Sequence, residues 1–241
     1  KQYYLLPLLF FAVSTQAQPS ADSVRYELPT TIIHATRSKH LASDLPFALS
    51  VIEADTLAAP LAGISLQEVL RRVPGIHVHN RHNLSQGDRL SARGLGVRAA
   101  FGVRGLKVVL DGIPLTTADG QTQLNNLDLG SLGRIEILRG PSSALYGNAS
   151  GGLLSIYTRQ ASSAFLRLQP RLLMGSDGLW RAQGRLSGSS GKHRYFLSFQ
   201  GLRADGYRHH AYAYSRGLNA LSHHDLNERL ELGLLFNIHD A

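Results

Sequence analysis

The sequence predicts an α+β unit, a small mixed sheet with short helices, followed by the first antiparallel strands of a transmembrane β-barrel. Two observations support this prediction. Residues 134–159 read as a strand, one helical turn, a glycine reversal and a second strand. From residue 164 onwards, apolar and polar side chains alternate in segments of about ten residues, as in barrel strands that face lipid on one side and water on the other.

The first of these two stretches begins with an alternating run. Ile135 and Ile137 share one side of the expected strand, and Glu136 lies on the other side. Pro141 has a fixed φ near the helical value, so we expect one helical turn from Ser142 to Tyr146. Glycines follow this turn and are expected to reverse the backbone into the second strand.

Three elements are predicted ahead of that stretch. A strand is expected over Leu45 to Ile52. Ser65 and Glu68 have the spacing of a capping box, so a helix should begin there, and apolar residues at helical spacing follow. Asp111-Gly112 is expected to form a tight turn between two strands.

The second stretch contains four segments with barrel-type alternation: Leu166 to Met174, Trp180 to Ser187, Arg194 to Gln200, and Leu230 to His239. The polar sides of these segments carry arginines, which suit a water-filled lumen better than the dry core of a soluble sandwich. Residues 205–224 are expected to form the long loop. A barrel that holds a domain needs about 22 strands, so we expect the chain to be the front portion of a longer protein.

Composition argues against several classes of function. The chain has no cysteine, which excludes disulfides and thiolate metal sites. Its net charge of +8 is accompanied by no recognition helix, zinc-finger spacing or aromatic RNA-binding run, so no nucleic-acid partner is expected. No nucleophile–base pair, phosphate loop or dinucleotide fingerprint occurs, so we expect neither catalytic residues nor a cofactor.

The N-terminus reads as part of an export signal. Lys1 precedes the apolar stretch Leu5 to Val13, which is too short to span a bilayer as a helix. Small residues end at Ala17, so residues 1–17 are interpreted as a partial signal peptide that is cleaved there. The alternative is a buried first strand.

The order of the motifs resembles a known family. Ile-Glu-Ile-Leu-Arg-Gly-Pro at residues 135–141, Ser-Ala-Leu-Tyr-Gly at residues 143–147 and Gly-Gly at residues 151–152 closely resemble the end of the plug domain of TonB-dependent outer-membrane receptors. Pro-Gly-Ile-His-Val at residues 74–78 resembles an earlier plug element, as do Leu90 to Gly94 and Leu106 to Pro114. The resemblance implies a flexible periplasmic segment over residues 18–44, a plug domain over residues 45–160 and barrel strands over residues 161–241.

A short β-branched segment precedes the predicted plug. Exposed segments of this kind can add to the sheet edge of another protein through main-chain hydrogen bonds. Residues 30–37 resemble the TonB box, with His34 where an apolar residue is commoner, so the resemblance implies that TonB is a partner. The residues expected to bind TonB are Thr31, Ile32, Ile33, His34, Ala35 and Thr36. The alternative is an ordinary first strand of the plug.

Charged residues within the plug strands are the next candidates. The resemblance implies that Arg93 and Arg139, with Glu136, form ion pairs between plug and barrel wall, and the alternative for each is solvated surface. Arg81, His82 and Asn83 follow a predicted strand and are expected to contact the ligand. Loops over residues 94–105 and 116–123 are further candidates for the binding face. His77, His79 and His82 have possible metal spacing, but no carboxylate accompanies them, so no metal site is expected.

These features together predict the N-terminal part of a TonB-dependent outer-membrane receptor that takes up a scarce nutrient. By the resemblance, the ligand is most often a ferric siderophore, and haem, cobalamin, another metal chelate and a saccharide remain open. The protein is not expected to be an enzyme. The alternative is an exported soluble module for binding or signalling that never forms a barrel.

Overall fold

The computed structural model describes residues 31–53, 63–79, 87–100 and 102–240. Two short α-helices, α1 (Gln67–Leu70) and α2 (Ser143–Tyr146), and one 3-10 helix (Ala42–Asp44) are present among the described residues. The strands are β1 (Ile32–Ile33), β2 (His40–Leu41), β3 (Ala48–Glu53), β4 (Ile76–His79), β5 (Arg89–Ala92), β6 (Leu106–Leu110), β7 (Ile113–Pro114), β8 (Leu132–Arg139), β9 (Gly152–Thr158), β10 (Arg167–Met174), β11 (Trp180–Ser190), β12 (His193–Ala204), β13 (Ala213–Asn227) and β14 (Leu230–Asp240). We call residues 31–158 the plug unit and residues 167–240 the wall sheet.

The plug unit is built on a five-stranded mixed sheet in the order β3-β8-β9-β6-β7. Strands β6 and β9 run parallel, and the other neighbours in this sheet are antiparallel. Strands β8 and β9 lie inside the sheet, and most of their residues are buried because apolar clusters cover both faces. The α+β fold class predicted from the sequence is confirmed.

Two apolar clusters cover the two faces of this sheet. The larger cluster contains Ile135 and Ile137 of β8 together with Val69 and Leu70 of α1. The smaller cluster contains Leu138 of β8 together with Ile33 and Ala35 near the start of the described chain. The alternation of β8 therefore sends its side chains to two different cores, as period-2 spacing requires.

The turn between β8 and β9 follows the predicted order. Helix α2 occupies one turn after Pro141, and Gly147 ends it with φ 71°. The reversal then reaches Gly152, which has φ 134° and lies so close to β8 that a Cβ would sit 2.2 Å from the carbonyl oxygen of Leu138. Only glycine fits this position, because a side chain would meet both a strained backbone and a neighbouring strand.

The capping box at the start of α1 is present in part. The Glu68 carboxylate accepts from the amide of Ser65 at 3.2 Å, as the spacing predicts, and also from the amide of Ile64 at 2.8 Å. The Ser65 hydroxyl, however, accepts from the amide of Gln67 and donates to Asp88 at 2.6 Å. Burial raises the pKa of this Asp88 carboxyl above its ordinary value. The helix spans Gln67–Leu70, shorter than the apolar spacing indicates.

The wall sheet is an antiparallel meander in the order β10-β11-β12-β13-β14. Its outward face is apolar and exposed, with Leu172, Phe199 and Phe236 among the exposed residues, and its inward face is polar. The alternation predicted for barrel strands is confirmed. The prediction of a long loop over residues 205–224 is wrong, because β13 begins at Ala213. The wall sheet therefore has five strands, one more than the four segments identified from the sequence. Glycine, histidine and small polar residues in β13 weaken its apolar alternation and concealed this strand.

Within the part of the chain that the structure describes, none of the helices has the length and apolar character needed to cross a membrane.

We expect Ile137→Ala to lower the free energy of unfolding by about 2–4 kcal/mol, because Ile137 is 1% exposed and the substitution leaves a cavity between β8 and α1. The matched control is Ile238→Ala in the wall sheet, where the side chain is 59% exposed and its loss leaves no cavity. Denaturant unfolding in detergent, followed by intrinsic fluorescence, measures both. Equal midpoints for the two variants would contradict the placement of this core.

Candidate functional site: the first strand and the contact between plug and wall

The first strand lies against the plug sheet and covers its smaller core. Ile33 and Ala35 are both 0% exposed and pack with Val109, Leu138 and Leu153. Residues 31–44, which the sequence assigns to a flexible segment, are thus packed onto the plug in this structure. The apolar residues of the segment are what hold it there, since the hydrophobic effect favours covering the exposed side of a sheet.

The carboxylate of Glu136 holds the main chain of this segment. Its Oε2 accepts from the amide of His34 at 3.0 Å and from the amide of Ala35 at 2.8 Å. Its Oε1 lies 2.9 Å from Nε of Arg134, and the Glu136 side chain is 0% exposed. Hydrogen bonds to an ionised acceptor are roughly twice as strong as neutral ones, so Glu136 acts as an anchor for the strand.

Carbonyl groups of the same segment are bound as well. The Tyr146 hydroxyl of α2 donates to the carbonyl of Ala35 at 2.9 Å, and Arg134 donates to the carbonyl of Ile32. The guanidinium of Arg37 stacks over the Tyr146 ring at 4.8 Å and so adds a further contact. Side chains of the plug thus bind the segment from Ile32 to Ala35 at both donors and acceptors.

The other edge of the first strand pairs within the segment itself. Strand β1 is antiparallel to β2, with Ile32 opposite Leu41 and Ile33 opposite His40. The amide of Ala42 also donates to the carbonyl of Thr31 at 2.9 Å. Since both edges are occupied, another strand can pair with Ile32 and Ile33 only after some of these bonds break.

Aromatic side chains surround the anchor. Burial raises the pKa of Tyr157 to about 12, and the nearby Glu136 adds to the effect. Burial likewise raises the pKa of Tyr146. Both phenols are therefore neutral at physiological pH, and Tyr146 keeps the proton that it donates to the first strand. The ring of His34 meets Tyr157 edge-on at 6.1 Å.

Arg139 is engaged within the plug unit. Its guanidinium donates to the carbonyl of Pro74 at 2.6 Å, to that of Leu49 at 3.2 Å and to the hydroxyl of Ser50 at 3.0 Å. It joins β3 and β8 to the turn before β4. Arg93, by contrast, is exposed in a left-handed conformation with φ 48°.

The contact between plug and wall centres on Asp128, which is 3% exposed. Its Oδ2 accepts from the hydroxyl of Ser198 at 2.5 Å, and its Oδ1 accepts from the side-chain amide of Gln183 at 3.1 Å. Arg181, also buried, lies 3.7 Å from Oδ1. Three inward-facing residues of β11 and β12 therefore converge on one plug carboxylate. The sequence shows Asp128 only as a lone acid between leucines, and sequence reasoning missed it.

Two plug carbonyls extend this contact. Arg181 donates to the carbonyl of Gly63 at 2.6 Å, and Arg185 donates to that of Gly130 at 3.3 Å. Both arginines come from the polar face of β11, which the sequence analysis predicts to line a water-filled lumen. In the structure this face meets the plug, and the arginines satisfy main-chain acceptors there.

The structure brings some of the predicted ligand loops together and leaves others undescribed. Arg81, His82 and Asn83 lie outside the described residues. The two candidate loops contact each other through main-chain hydrogen bonds between Val103 and Thr122 and an ion pair of 3.5 Å between Arg104 and Asp119. His79 bonds to Ser91 at 3.1 Å, and the described residues contain no group of three or more side chains able to hold a metal ion.

The mixed plug sheet rests on the polar face of the antiparallel wall sheet, and the other face of the wall sheet is apolar and exposed. This arrangement defines the class of plugged outer-membrane β-barrels. A family model described as the TonB-dependent receptor plug domain matches residues 42–153. Residues 42–153 of this chain are therefore similar to the plug domain of TonB-dependent receptors.

Known receptors are also similar to this chain in sequence. The chain is 33% identical to the hemin receptor of Yersinia enterocolitica over 138 residues, which cover 57% of this chain and 19% of the relative. It is 27% identical to the ferric enterobactin receptor of Pseudomonas aeruginosa over 67% of this chain and 22% of the relative. The chain thus spans about a fifth of the length of these relatives.

Solved structures share the fold. The pyoverdine outer-membrane receptor FpvA of Pseudomonas aeruginosa superposes with a TM-score of 0.71 at 19% identity, over 86% of this chain and 30% of that one. The siderophore receptor PirA of the same species gives a TM-score of 0.58 at 21% identity, over 81% and 35%.

We expect Asp128→Asn to loosen the plug from the wall, because the buried Arg181 would lose its carboxylate and a buried unpaired charge is costly. Hydrogen exchange of plug peptides, measured by mass spectrometry, should become at least about fivefold faster, which corresponds to about 1 kcal/mol. The control is Asp119→Asn, which removes an acid from an exposed plug loop. Exchange that is equally fast in both variants would show that Asp128 is no anchor.

Proposed function

We propose that the protein containing this chain is a TonB-dependent receptor that takes up a scarce nutrient across the outer membrane, with a ferric siderophore or a similar metal chelate as ligand. The observation that carries the proposal is the first strand, which is bound to the plug by contacts that a partner strand can replace. The names of the relatives, which include hemin and ferric enterobactin receptors, support this class of ligand. Uptake of this kind is transport without covalent chemistry, so we propose no enzymatic role.

We propose that TonB binds residues Thr31 to Thr36 as an added strand. Strand addition uses main-chain donors and acceptors at 3.2–3.4 Å spacing per residue. The amides of His34 and Ala35 are such donors, and Glu136 binds both of them directly after β1, where the chain enters a turn. TonB would take over these donors and thereby replace the bonds to Glu136.

This mechanism places the first strand on the periplasmic side. His34 of that segment and His223 of the wall line one cleft, so the first strand lies near the end of the wall where β13 turns into β14. We propose that this end faces the periplasm and that the β10–β11 and β12–β13 connections face outward.

We propose that Glu136 and Arg139 stabilise contacts within the plug and transmit a pull on the first strand. Glu136 connects that strand to β8, and Arg139 connects the end of β8 to β3 and Pro74. A pull on Ala35 therefore acts first on the centre of the plug sheet. Arg93, which is exposed, remains our candidate for an ion pair with the wall.

We propose ligand contact for Arg81, His82 and Asn83 and for the two candidate loops. Arg81, His82 and Asn83 offer donors suited to an anionic chelate. The loops joined by main-chain hydrogen bonds between Val103 and Thr122 are proposed as further ligand contacts.

Replacing Ile33 with proline should abolish uptake while ligand binding stays within about twofold, because proline removes a main-chain donor from the strand that TonB would extend. Ile33→Val is the control, since it keeps the donor and the β-branched shape. Uptake of radiolabelled ferric siderophore by cells carrying each variant measures the effect, with surface binding measured in de-energised cells. Normal uptake by the proline variant would refute the assignment of residues 31–36.

Glu136→Gln should free the first strand, because a neutral acceptor forms weaker hydrogen bonds than a carboxylate. Ala35 is 0% exposed and the chain has no cysteine, so Ala35→Cys supplies a thiol reporter of release. We expect labelling of this thiol by maleimide to become about tenfold faster in the Glu136→Gln background, equivalent to about 1.4 kcal/mol.

The control for this experiment is Glu53→Gln. Glu53 pairs with the same Arg134 at 3.3 Å but is exposed. Labelling rates that rise equally in both backgrounds would indicate a general effect of Arg134, and the proposed anchor role of Glu136 would then be wrong.

A further inference from the structure

The cleft that His34 and His223 line carries an excess of positive charge. Its lining includes Arg37, Lys39 and Lys107, and it encloses about 840 Å³. These three side chains are cations at neutral pH, whereas the described residues of the lining include one acid. We call this space the basic cleft.

The acids at the basic cleft are already bonded to other groups. Asp111 lines the cleft, but its Oδ1 accepts from the amide of Thr158 at 2.8 Å and its Oδ2 accepts from the Thr158 hydroxyl at 2.5 Å. Glu231, which contacts His223, also accepts from Arg194 at 2.8 Å. Neither carboxylate is therefore paired with a cation of the cleft.

The three cations come from two separate parts of the plug unit. Arg37 and Lys39 follow the first strand and are exposed, whereas Lys107 lies on β6 of the central sheet and is half-buried. Among the ion pairs within 4.0 Å that the described residues form, none involves these three side chains. A half-buried ammonium without a counterion is unfavourable, and like charges around one cleft repel each other. A bound anion would reduce both costs.

Arg37 is held at the cleft by contacts within the protein. Its guanidinium stacks over the Tyr146 ring at 4.8 Å, and its amide donates to the carbonyl of His34 at 3.0 Å. The turn gives Arg37 a φ of 65°, a left-handed conformation that is uncommon for residues other than glycine. Because the guanidinium is already ordered, an anion that binds it loses less affinity to the ordering of side chains.

The donors of the cleft suit a phosphate group better than a single carboxylate. A phosphate ester carries a charge of about −1.5 to −2 at pH 7 and has three acceptor oxygens, so it can contact several cations at once. Lysine ammonium groups bind phosphate as point charges. The hydroxyls of Ser38 and Tyr157 also line the cleft, beside the apolar side chains of Val109 and Pro114. The cleft therefore has room for a phosphate and for a small organic group attached to it.

We propose that the basic cleft binds a phosphate group, either free or in a small organic phosphate ester, between Lys107 of the sheet and Arg37 and Lys39 of the segment that follows the first strand. The bound anion connects this segment to the sheet and slows the release of the first strand. The proposal goes beyond nutrient uptake, and it depends neither on the transported ligand nor on TonB.

The test measures binding to the complete receptor that contains this chain, purified in detergent. Isothermal titration calorimetry is carried out with inorganic phosphate and with glucose 6-phosphate. We expect Lys107→Gln to weaken the binding of both compounds at least about tenfold, because it removes a charged donor. Tighter binding of glucose 6-phosphate supports an organic ester as the ligand, and equal binding of the two supports phosphate alone.

The matched control is Lys192→Gln, which removes an exposed lysine in the turn between β11 and β12, outside the lining of the cleft. We expect this variant to bind both compounds like the unmodified receptor. Circular dichroism spectra that match the unmodified receptor confirm that both variants are folded. Equal affinities of Lys107→Gln and Lys192→Gln, or no measurable binding to the unmodified receptor, would overturn the proposal.

The thiol of Ala35→Cys reports whether the anion holds the first strand. Saturating phosphate should slow its labelling by maleimide at least about threefold, the effect of one additional exposed ionic contact. Sodium chloride at the same ionic strength is the control for screening. Labelling that is equally slow in chloride, or that phosphate slows as much in the Lys107→Gln background, would show that the cleft holds no such anion. Neither measurement involves uptake, so a negative result leaves the proposed transport function intact.

Discussion

The buried carboxylate of Glu136 is the interaction on which the plug depends most. It accepts from the main-chain amides of His34 and Ala35 and forms an ion pair with Arg134, and its own side chain is 0% exposed. A buried carboxylate is tolerated only when its oxygens are satisfied. The first strand is therefore part of what makes Glu136 acceptable in the core, and the strand and the carboxylate stabilise each other. Removing either one leaves polar groups of the other without partners.

The same requirement explains how plug and wall fit together. Asp128 is nearly as buried as Glu136, and its partners come from the wall: Ser198, Gln183 and Arg181. One carboxylate thus holds the first strand to the plug, and the other holds the plug to the wall sheet. The two lie on separate parts of the plug, so a pull on the first strand reaches β8 without acting directly on the anchor at the wall.

Much of this architecture is predictable because it follows from short-range rules. The strand–turn–strand unit around Pro141, the turn at Asp111-Gly112 and the alternation of the wall strands depend on neighbours in the sequence. The partners of Glu136, Arg139 and Asp128 could not be predicted in this way. Each one bonds to residues more than fifty positions away in the chain, and strand periodicity gives only the face on which a side chain lies. For Glu136, alternation placed the side chain opposite Ile135 and Ile137, but it could not show that the first strand covers that face.

The burial of Ile33 and Ala35 has a consequence for the proposed release of the first strand. Val109, Leu138 and Leu153 lose their cover at that moment and meet water. Hydration of this small apolar surface favours its prompt return, at about 25 cal/mol for each Å² covered again. Under the proposed mechanism, this apolar surface therefore gives the plug a driving force to bind the N-terminal segment again once TonB releases it.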